Sequence, residues 1–492
     1  MNEALQLPKI LNLICRCLYY GDISRLSLVS TYLHSAVGPV LWESLAGLDP
    51  LLRLMPQDAW HLEDDDTSQD SSEHRYFNFS RPLRREDWLP VLAKSKFVKK
   101  LYNVDGFYGC ILFRATVAQA IVEQPPPALL LPNVRRLCCY PHDHLVDESP
   151  IPYSLLSITT LELKACRFVD SKILTATCPN VDSLTIWCKC ESDALGAHAA
   201  LMDTLGQWPH LETVHLTLHD WTWEPNPFLA LSQLESLSSL HLHQGGYFNR
   251  LQAPQFRAQS FPALRTMVLD SISLDLITAI VRSWHAPKSM EVIDLQGVFG
   301  LDSCSASVLR AIQEKCAPPY LRKVIVRPPY SSDASAEEPQ LRLHHLQPLS
   351  GFWNLTEVSF RMMSAAFLTD DDHARIASWW PRLQKLDFAV EYPSEPAPAS
   401  YPSLLSYARG CPDLQELSIN FTAASLEEDK VTEVTIFLSM VFPHLKALRY
   451  PVSYYDEGFW EVVERCLPIL QAAHAVEDQH RRSCDCLGIA SK

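Results

Sequence analysis

Glycine is scarce in this chain, with 15 residues among 492. No Gly-x-Gly-x-x-Gly turn and no Gly-rich loop before Lys-Ser/Thr occurs, so the usual cradles for dinucleotides and nucleoside triphosphates are missing. The Gly-x-Ser-x-Gly elbow of serine hydrolases and the His-Glu-x-x-His helix of zinc proteases are missing too. There is no Cys-x-x-Cys. The 15 cysteines include Cys-x-Cys pairs at Cys15/Cys17, Cys188/Cys190 and Cys484/Cys486, none matched by a second pair at zinc spacing. They read as small buried thiols in a reducing compartment. Basic residues are outnumbered, 42 Lys and Arg against 57 Asp and Glu, for a net charge of −15. That balance argues against general binding to nucleic acid or anionic membranes. No stretch approaches the ~18 apolar residues of a membrane span. Glu3, Lys9 and Arg16 interrupt the N-terminal apolar pattern, so no signal peptide is expected. The protein is expected in the cytoplasm, the nucleus or both, not secreted, without cofactor or metal.

What is plentiful is apolar side chain, 47% of the residues, arranged in two patterns. The first occupies residues 1–49. Pro8 suits a first helical turn. Ile10, Leu11, Ile14 and Leu18 follow at spacings of three and four, the signature of one apolar helix face. Gly21-Asp22 ends that helix. A second helix carries Leu26, Leu28, Val29, Leu33 and Val37, and Gly38-Pro39 should stop it. Leu41, Trp42 and Leu45 are expected to open a third. So small a unit cannot close a stable core alone, so its surplus apolar surface should be covered by something else, with Trp42 the largest anchor.

The second pattern is a repeat. One apolar residue, two variable, one apolar, one variable and one apolar recur, often after a proline two residues upstream. Copies include Pro132-Asn133-Val134 with Leu137, Ile158 with Leu161 and Leu163, Pro179-Asn180-Val181 with Leu184 and Ile186, and Leu237 with Leu240 and Leu242. The series runs on to Pro443-His444-Leu445, and a faint first copy lies at Val98 and Leu101. Starts fall about 23 to 36 residues apart, near or above the span of a leucine-rich repeat. Each unit should form one short strand and a returning helical or irregular segment, and stacking should make one parallel sheet. The proline is expected to end the preceding helix and start an extended entry.

Both patterns together resemble an F-box protein with degenerate leucine-rich repeats of the fungal F-box/LRR-like kind. The residues carrying the likeness are Leu7-Pro8-Lys9-Ile10-Leu11, Leu28-Val29-Ser30 and Leu41-Trp42. It continues through Leu51-Leu52-Arg53-Leu54, Arg81-Pro82-Leu83 and Asp87-Trp88. It departs from the family at Lys9, where an acidic residue is usual. The implied fold is α/β: an N-terminal three-helix F-box, then a solenoid with a curved parallel sheet and helices on the convex side. The expected organisation is an F-box at 1–49, a linker at 50–95, an array at 96–455, a capping helix at 456–476 and a flexible tail at 477–492. The linker holds an acidic loop at 63–73, read as a solvated loop or a site for a basic partner. Thr67, Ser68, Ser71 and Ser72 within that loop are weak candidates for phosphorylation by an acid-directed kinase. Polar or Pro-rich breaks at 124–127, 221–227, 331–339 and 393–402 read as loops between repeats.

The resemblance implies a substrate-recognition subunit of an SCF-type (cullin) ubiquitin ligase. Leu7, Pro8, Ile10, Leu11, Ile14, Leu18, Leu26, Leu28, Val29, Leu41 and Trp42 would bind the adaptor, and the cullin would follow. A protein substrate would dock on the variable strand positions. Strand alternation assigns these as Tyr140, Glu162, Lys164, Trp187, His215, His241, His243, Asp270, Asp294, Arg327, Arg361 and Asp387. The same positions also suit ordinary solvated sheet residues. His241 with His243, and His142 with His144, are too incomplete to predict a metal. Such a subunit needs no chemistry of its own, because holding a substrate near a charged carrier raises effective concentration. The alternatives are a non-degradative interaction scaffold and, from another class, an unrecognised hydrolase or transferase.

Overall fold

In a computed structural model the described residues are 8–64, 75–104, 111–113, 115–140, 158–165, 178–189, 205–219, 225–245, 254–297, 303–327, 341–361, 366–388, 399–420, 431–449, 466–468 and 470–471. They form two compact units, one of residues 1–237 with 245–247 and one of residues 238–244 with 248–492. The protein is α/β, built on parallel strands.

The first unit opens with helices α1 (Pro8–Arg16), α2 (Tyr20–Ser27) and α3 (Thr31–Leu41). Their boundaries differ from the sequence expectation. The apolar run from Leu26 to Val37 is broken at Leu28–Ser30, where Ser30 Oγ caps α3 by accepting the Leu33 N–H at 3.1 Å. Pro39 does not stop α3 but lies in its last turn, and Trp42 is its C-cap rather than part of a further helix. Directly after it, Ser44–Leu45 forms β1.

β1 is the edge of a parallel sheet continued by β4 (Lys100–Val104), β6 (Arg136–Tyr140), β7 (Thr160–Ala165), β8 (Ser183–Lys189) and β9 (Thr213–His219). Within residues 50–95, expected to be a linker, the described parts 50–64 and 75–95 carry helices and strands. The short helix α4 (Asp49–Leu52), strands β2 (Trp60–Asp64) and β3 (Arg75–Phe79) and helix α5 (Trp88–Ser95) lie there. Leu51, Leu52, Met55, Phe77, Trp88 and Val91 are all buried. β3 pairs antiparallel with β2 and parallel with β5 (Ile111–Phe113), giving a second, three-stranded sheet. Arg81 ties the segment down, reaching Asp58 at 2.8 Å and the buried Asp87 at 2.7 Å. The acidic loop expected at 63–73 begins with Glu63 and Asp64, which lie in β2; its residues 65–73 lie outside the described residues.

The second unit is a parallel sheet of β10 (Ser239–Gly245, through Gln244 in this unit), β11 (Thr266–Asp270), β12 (Val292–Gln296), β13 (Lys323–Val326), β14 (Glu357–Phe360), β15 (Lys385–Asp387), β16 (Glu416–Ser418) and β17 (Ala447–Arg449).

Register explains the repeat. In the first unit Leu101, Leu137, Leu161, Leu184 and Val214 are successive partners. In the second the same row runs Leu240, Met267, Ile293, Val324, Val358, Leu386, Leu417 and Leu448. All of them are buried. Each full burial is worth about 1.5–3 kcal/mol, so the row supplies much of the stabilisation. A second device repeats with it: two consecutive N–H groups share one carbonyl of the preceding strand entry. Lys99 and Lys100 donate to Glu43 O, Arg135 and Arg136 to Lys99 O, Arg322 and Lys323 to Glu291 O, and Gln384 and Lys385 to Thr356 O.

Where the structure shows the bond that closes it, the proline before a strand sits in a turn rather than an extended entry. Trp208-Pro209-His210-Leu211 is closed by Leu211 N–H to Trp208 O at 3.2 Å, and Trp380-Pro381-Arg382-Leu383 by Leu383 N–H to Trp380 O at 3.1 Å. Proline's fixed φ suits the second position of such a turn. The buried first residue links back to the preceding repeat. Trp208 Nε1 donates to Cys178 O at 2.8 Å and Trp380 Nε1 to Leu349 O at 3.1 Å.

Helices return the chain between strands of the second unit. Helix 274–283 buries Leu276, Ile277, Ile280 and Val281. Helices 370–379 and 401–410 approach so closely that a Cβ on Gly410 would lie 2.7 Å from Ala377 O, which only glycine permits. Of the capping helix expected at 456–476, residues 466–468 and 470–471 are described and helical. Leu467 is buried, and Gln471 Nε2 donates to Phe442 O at 2.6 Å and Leu445 O at 2.8 Å. The tail at 477–492 lies outside the described residues. No described helix is long and apolar enough to cross a membrane.

Candidate functional site: an apolar helical face and the polar faces of two sheets

α1, α2 and α3 share a small core of Leu11, Cys15, Ile23, Leu33 and Val37, with Leu26, Ala36, Val40 and Leu41 packed against it. This core divides the residues expected to meet an adaptor. Leu11 is buried, so it is not available as a contact, and Leu26 and Leu41 are partly spent on the same core. The reason is helical geometry: at 100° per residue, Leu11 and Cys15 point inward, Ile10 and Ile14 flank that direction, and Leu13 lies opposite it. Ile10, Ile14 and Leu18 are each more than a third exposed, Leu28 is 80% exposed and Val29 70%. Trp42 is half-buried. Leu7 and the Pro8 side chain lie outside the described set, although Pro8 does begin α1.

Sequence reasoning missed four further exposed groups on these helices: Leu13, Tyr19, Tyr20 and Tyr32. Leu13 had a legible signal, its spacing of three from Ile10. The tyrosines had none, because an aromatic ring beside a helix boundary is equally at home in a core.

On the first sheet's polar face, Trp187 is 43% exposed and tilts toward His215, ring centroids 6.1 Å apart. Strand register places Trp187 beside Thr217 and Thr185 beside His215. His215 Nε2 lies 3.4 Å from Thr217 Oγ1. Glu162 is engaged within the sheet rather than displayed. It forms an ion pair with Arg136 and accepts the Cys138 thiol at 2.9 Å. Burial, helped by that carboxylate, pushes the Cys138 thiol up to about 12, so it stays protonated. Tyr140 and Lys164 stand in β6 and β7, with side chains outside the described set.

The second unit's polar face carries His241 and His243. His241 Nε2 lies 3.1 Å from Ser239 Oγ. His243 Nδ1 meets Asp270 Oδ2 at 2.6 Å, and Ser271 Oγ donates to Asp270 Oδ1 at 3.0 Å. Asp294 and Asp387 depart from the expected exposed strip, at 8% and 4% exposure. Burial raises the Asp294 carboxyl above its usual range, against the opposing pull of Gln296 and Arg327. Asp387 is instead fully engaged by Arg361 Nε at 2.7 Å and Ser359 Oγ at 3.4 Å. Arg327 follows β13 and is half-buried. Strand alternation therefore identified the face but not which groups neighbouring strands consume.

Among the described residues no group of three or more His, Cys, Asp or Glu is arranged to hold a metal ion. The described cysteines are free thiols. The arrangement can bind: it offers a solvent-facing apolar patch on small helices and, separately, aromatic and imidazole groups on sheet faces. Comparison with protein-family models and with curated protein sequences finds no match for this chain.

Proposed function

We infer that this chain is the substrate-receptor subunit of an SCF-type (cullin) ubiquitin ligase, an F-box module carrying a leucine-rich-repeat-like array. The observation that carries the reading is the apolar face of α1–α3. Leu13, Leu28 and Val29 are each exposed by 65% or more, and Ile10, Ile14 and Leu18 by more than a third. Covering such side chains is worth roughly 1.5–3 kcal/mol apiece, so this face is suited to an obligate partner of the adaptor type. The array supports the second half of the reading. Its strand, turn and doubled N–H device recur from β4 to β17, and its polar faces expose Trp187 and the imidazoles. Trp is enriched among residues that dominate protein interfaces. The receptor would add no chemistry; it would hold a lysine of its target close to a charged carrier.

The test is affinity purification of the intact chain beside a Leu28→Asp/Val29→Asp variant from cells expressing adaptor and cullin. The reading expects both subunits with the intact chain and neither with the variant. Equal recovery of both, or of neither by the intact chain, overturns it. A target that is captured but not stabilised by the variant would favour a scaffold without degradation.

A further inference from the structure

A cavity of about 400 Å³ lies inside the first unit, between α3 and the entries to β4 and β6. Lys96, Lys99 and Arg135 line it, with Glu43 the acidic group among its lining residues. Pro39, Val40 and Phe97 give it an apolar wall. In a chain of net charge −15, such a concentration of cations is a local reversal of sign.

The sheet holds these charges in place. Glu43, Lys99 and Arg135 occupy equivalent positions on three successive strand entries, since each accepts or donates the doubled N–H bond described above. Neighbouring strands are about 4.8 Å apart, so the side chains issue from a rigid row. Glu43 and Lys99 are already paired, Oε1 to Nζ at 3.5 Å. That pair leaves Lys96 and Arg135 as the excess positive charge. Lys96 Nζ lies 5.1 Å from the Phe97 ring centroid, and Asn133 Nδ2 ties the Lys96 carbonyl at 2.6 Å. Further along the same row come Thr159, Asp182 and Glu212. The carboxyl of Asp182 is raised by burial and then by the like charge of Glu212. The basic stretch is therefore short and bounded by acid on both sides.

We propose that this cavity binds a short acidic peptide segment of another protein, with Asp or Glu carboxylates on Lys96 and Arg135 and its aliphatic parts on Pro39, Val40 and Phe97. Lys96 caps the end of α5 and Arg135 stands in the row of strand entries, and two cations issuing from different elements suit carboxylates spaced along a chain. A dianionic phosphate would concentrate its charge next to Glu43. At physiological salt the screening length is about 8 Å, so the local cations outweigh the distant net negative charge of the protein. The proposal does not rest on the ubiquitin-ligase reading, because it needs neither an adaptor nor a cullin.

The experiment is fluorescence anisotropy of the full chain with a short fluorescein-labelled peptide of Glu, Asp and Gly. Its Gln/Asn counterpart and a phosphoserine counterpart serve as comparisons. The acidic peptide should bind, weaken as salt is raised, and outbind the neutral one. Lys96→Glu with Arg135→Glu should weaken it by roughly tenfold, and Glu43→Gln should tighten it by roughly two- to threefold. Lys96 and Arg135 are exposed and Glu43 is half-buried, and unchanged circular dichroism and melting would show that the variants fold. Equal binding of acidic and neutral peptides overturns the proposal. So does binding confined to the phosphoserine peptide, or an affinity insensitive to both variants. Loss of a dimer in the Lys96→Glu/Arg135→Glu chain alone would assign the cavity to a second copy and likewise overturn it.

Discussion

Arg361 Nε donates to Asp387 Oδ2 at 2.7 Å across β14 and β15, and the Asp387 side chain is only 6% exposed while that of Arg361 is 31% exposed. Removing the arginine would leave a buried carboxylate without its cation. Because Arg361 is partly solvated, the cost falls below that of a fully buried pair, at roughly 1–3 kcal/mol. Arg361→Ala should therefore lower the urea midpoint clearly. Asp387→Asn, which keeps the shape and an acceptor for Arg361, should lower it less. Equal midpoints for Arg361→Ala and the parent chain would contradict this account.

The two kinds of apolar residue on α1–α3 should behave in opposite ways. Leu11→Ala opens a cavity in the small core and should cost about 2–4 kcal/mol in chemical denaturation. Leu28→Asp and Val29→Asp change exposed sites, so stability should shift by no more than about 0.5 kcal/mol. Partner recovery should vanish in the second case while the fold persists. Comparable destabilisation by both classes would show that Leu28 and Val29 serve the chain's own core.

Trp187 is the sheet residue best placed to anchor a bound protein. Trp187→Ala should reduce capture of a target by about tenfold or more, with little change in melting temperature, as expected of an exposed interface hot spot. His241→Ala should have a smaller effect of the same sign. Binding that survives both substitutions in a pull-down of the full chain would move the docking surface elsewhere.

His373 should make the second unit acid-labile. Burial, only partly opposed by Asp370 and Asp372, pushes its imidazole down to about 4, and its Nδ1 lies 2.8 Å from the hydroxyl of the buried Tyr407. The folded group is thus neutral where the unfolded one, near 6.5, is protonated. Between those values the unfolded state binds more protons, so stability rises with pH and is lost as pH falls from about 6.5 to 4. The loss is of the order of 3 kcal/mol. His373→Gln should flatten that slope in urea titrations run across the window. A slope unchanged in the variant would assign the acid sensitivity to other groups.

How much of this was legible beforehand depends on what each signal encodes. The repeated apolar phrase foretold parallel strands and their inward rows, because a residue with period two in a stacked sheet has only one place to go. The proline is plain in the sequence but its role is not, since X-Pro suits an extended entry or a turn equally until the closing N–H bond is visible. Residues 50–95 read as a linker because their apolar residues follow no single period. Phe77 and Trp88 are buried all the same, Phe77 in a small sheet where its neighbour on β5, Phe113, is distant in sequence.

By itself the sequence determined that this chain builds a parallel α/β array, opens with small helices carrying excess apolar surface, and lacks the motifs of the common nucleotide, zinc and serine chemistries. Those are properties of periodicity and composition, which local chain geometry translates directly. Only the tertiary structure decided which apolar side chains are spent inside, as with Leu11, and which face outward, as with Leu28. It alone decided that Asp387 and Glu162 are consumed by arginines on neighbouring strands while Trp187 stays accessible, and that Lys99 meets Glu43 across strand entries. The physical reason is that burial and charge pairing depend on what adjacent strands place opposite a residue, and those neighbours lie tens of residues away along the chain.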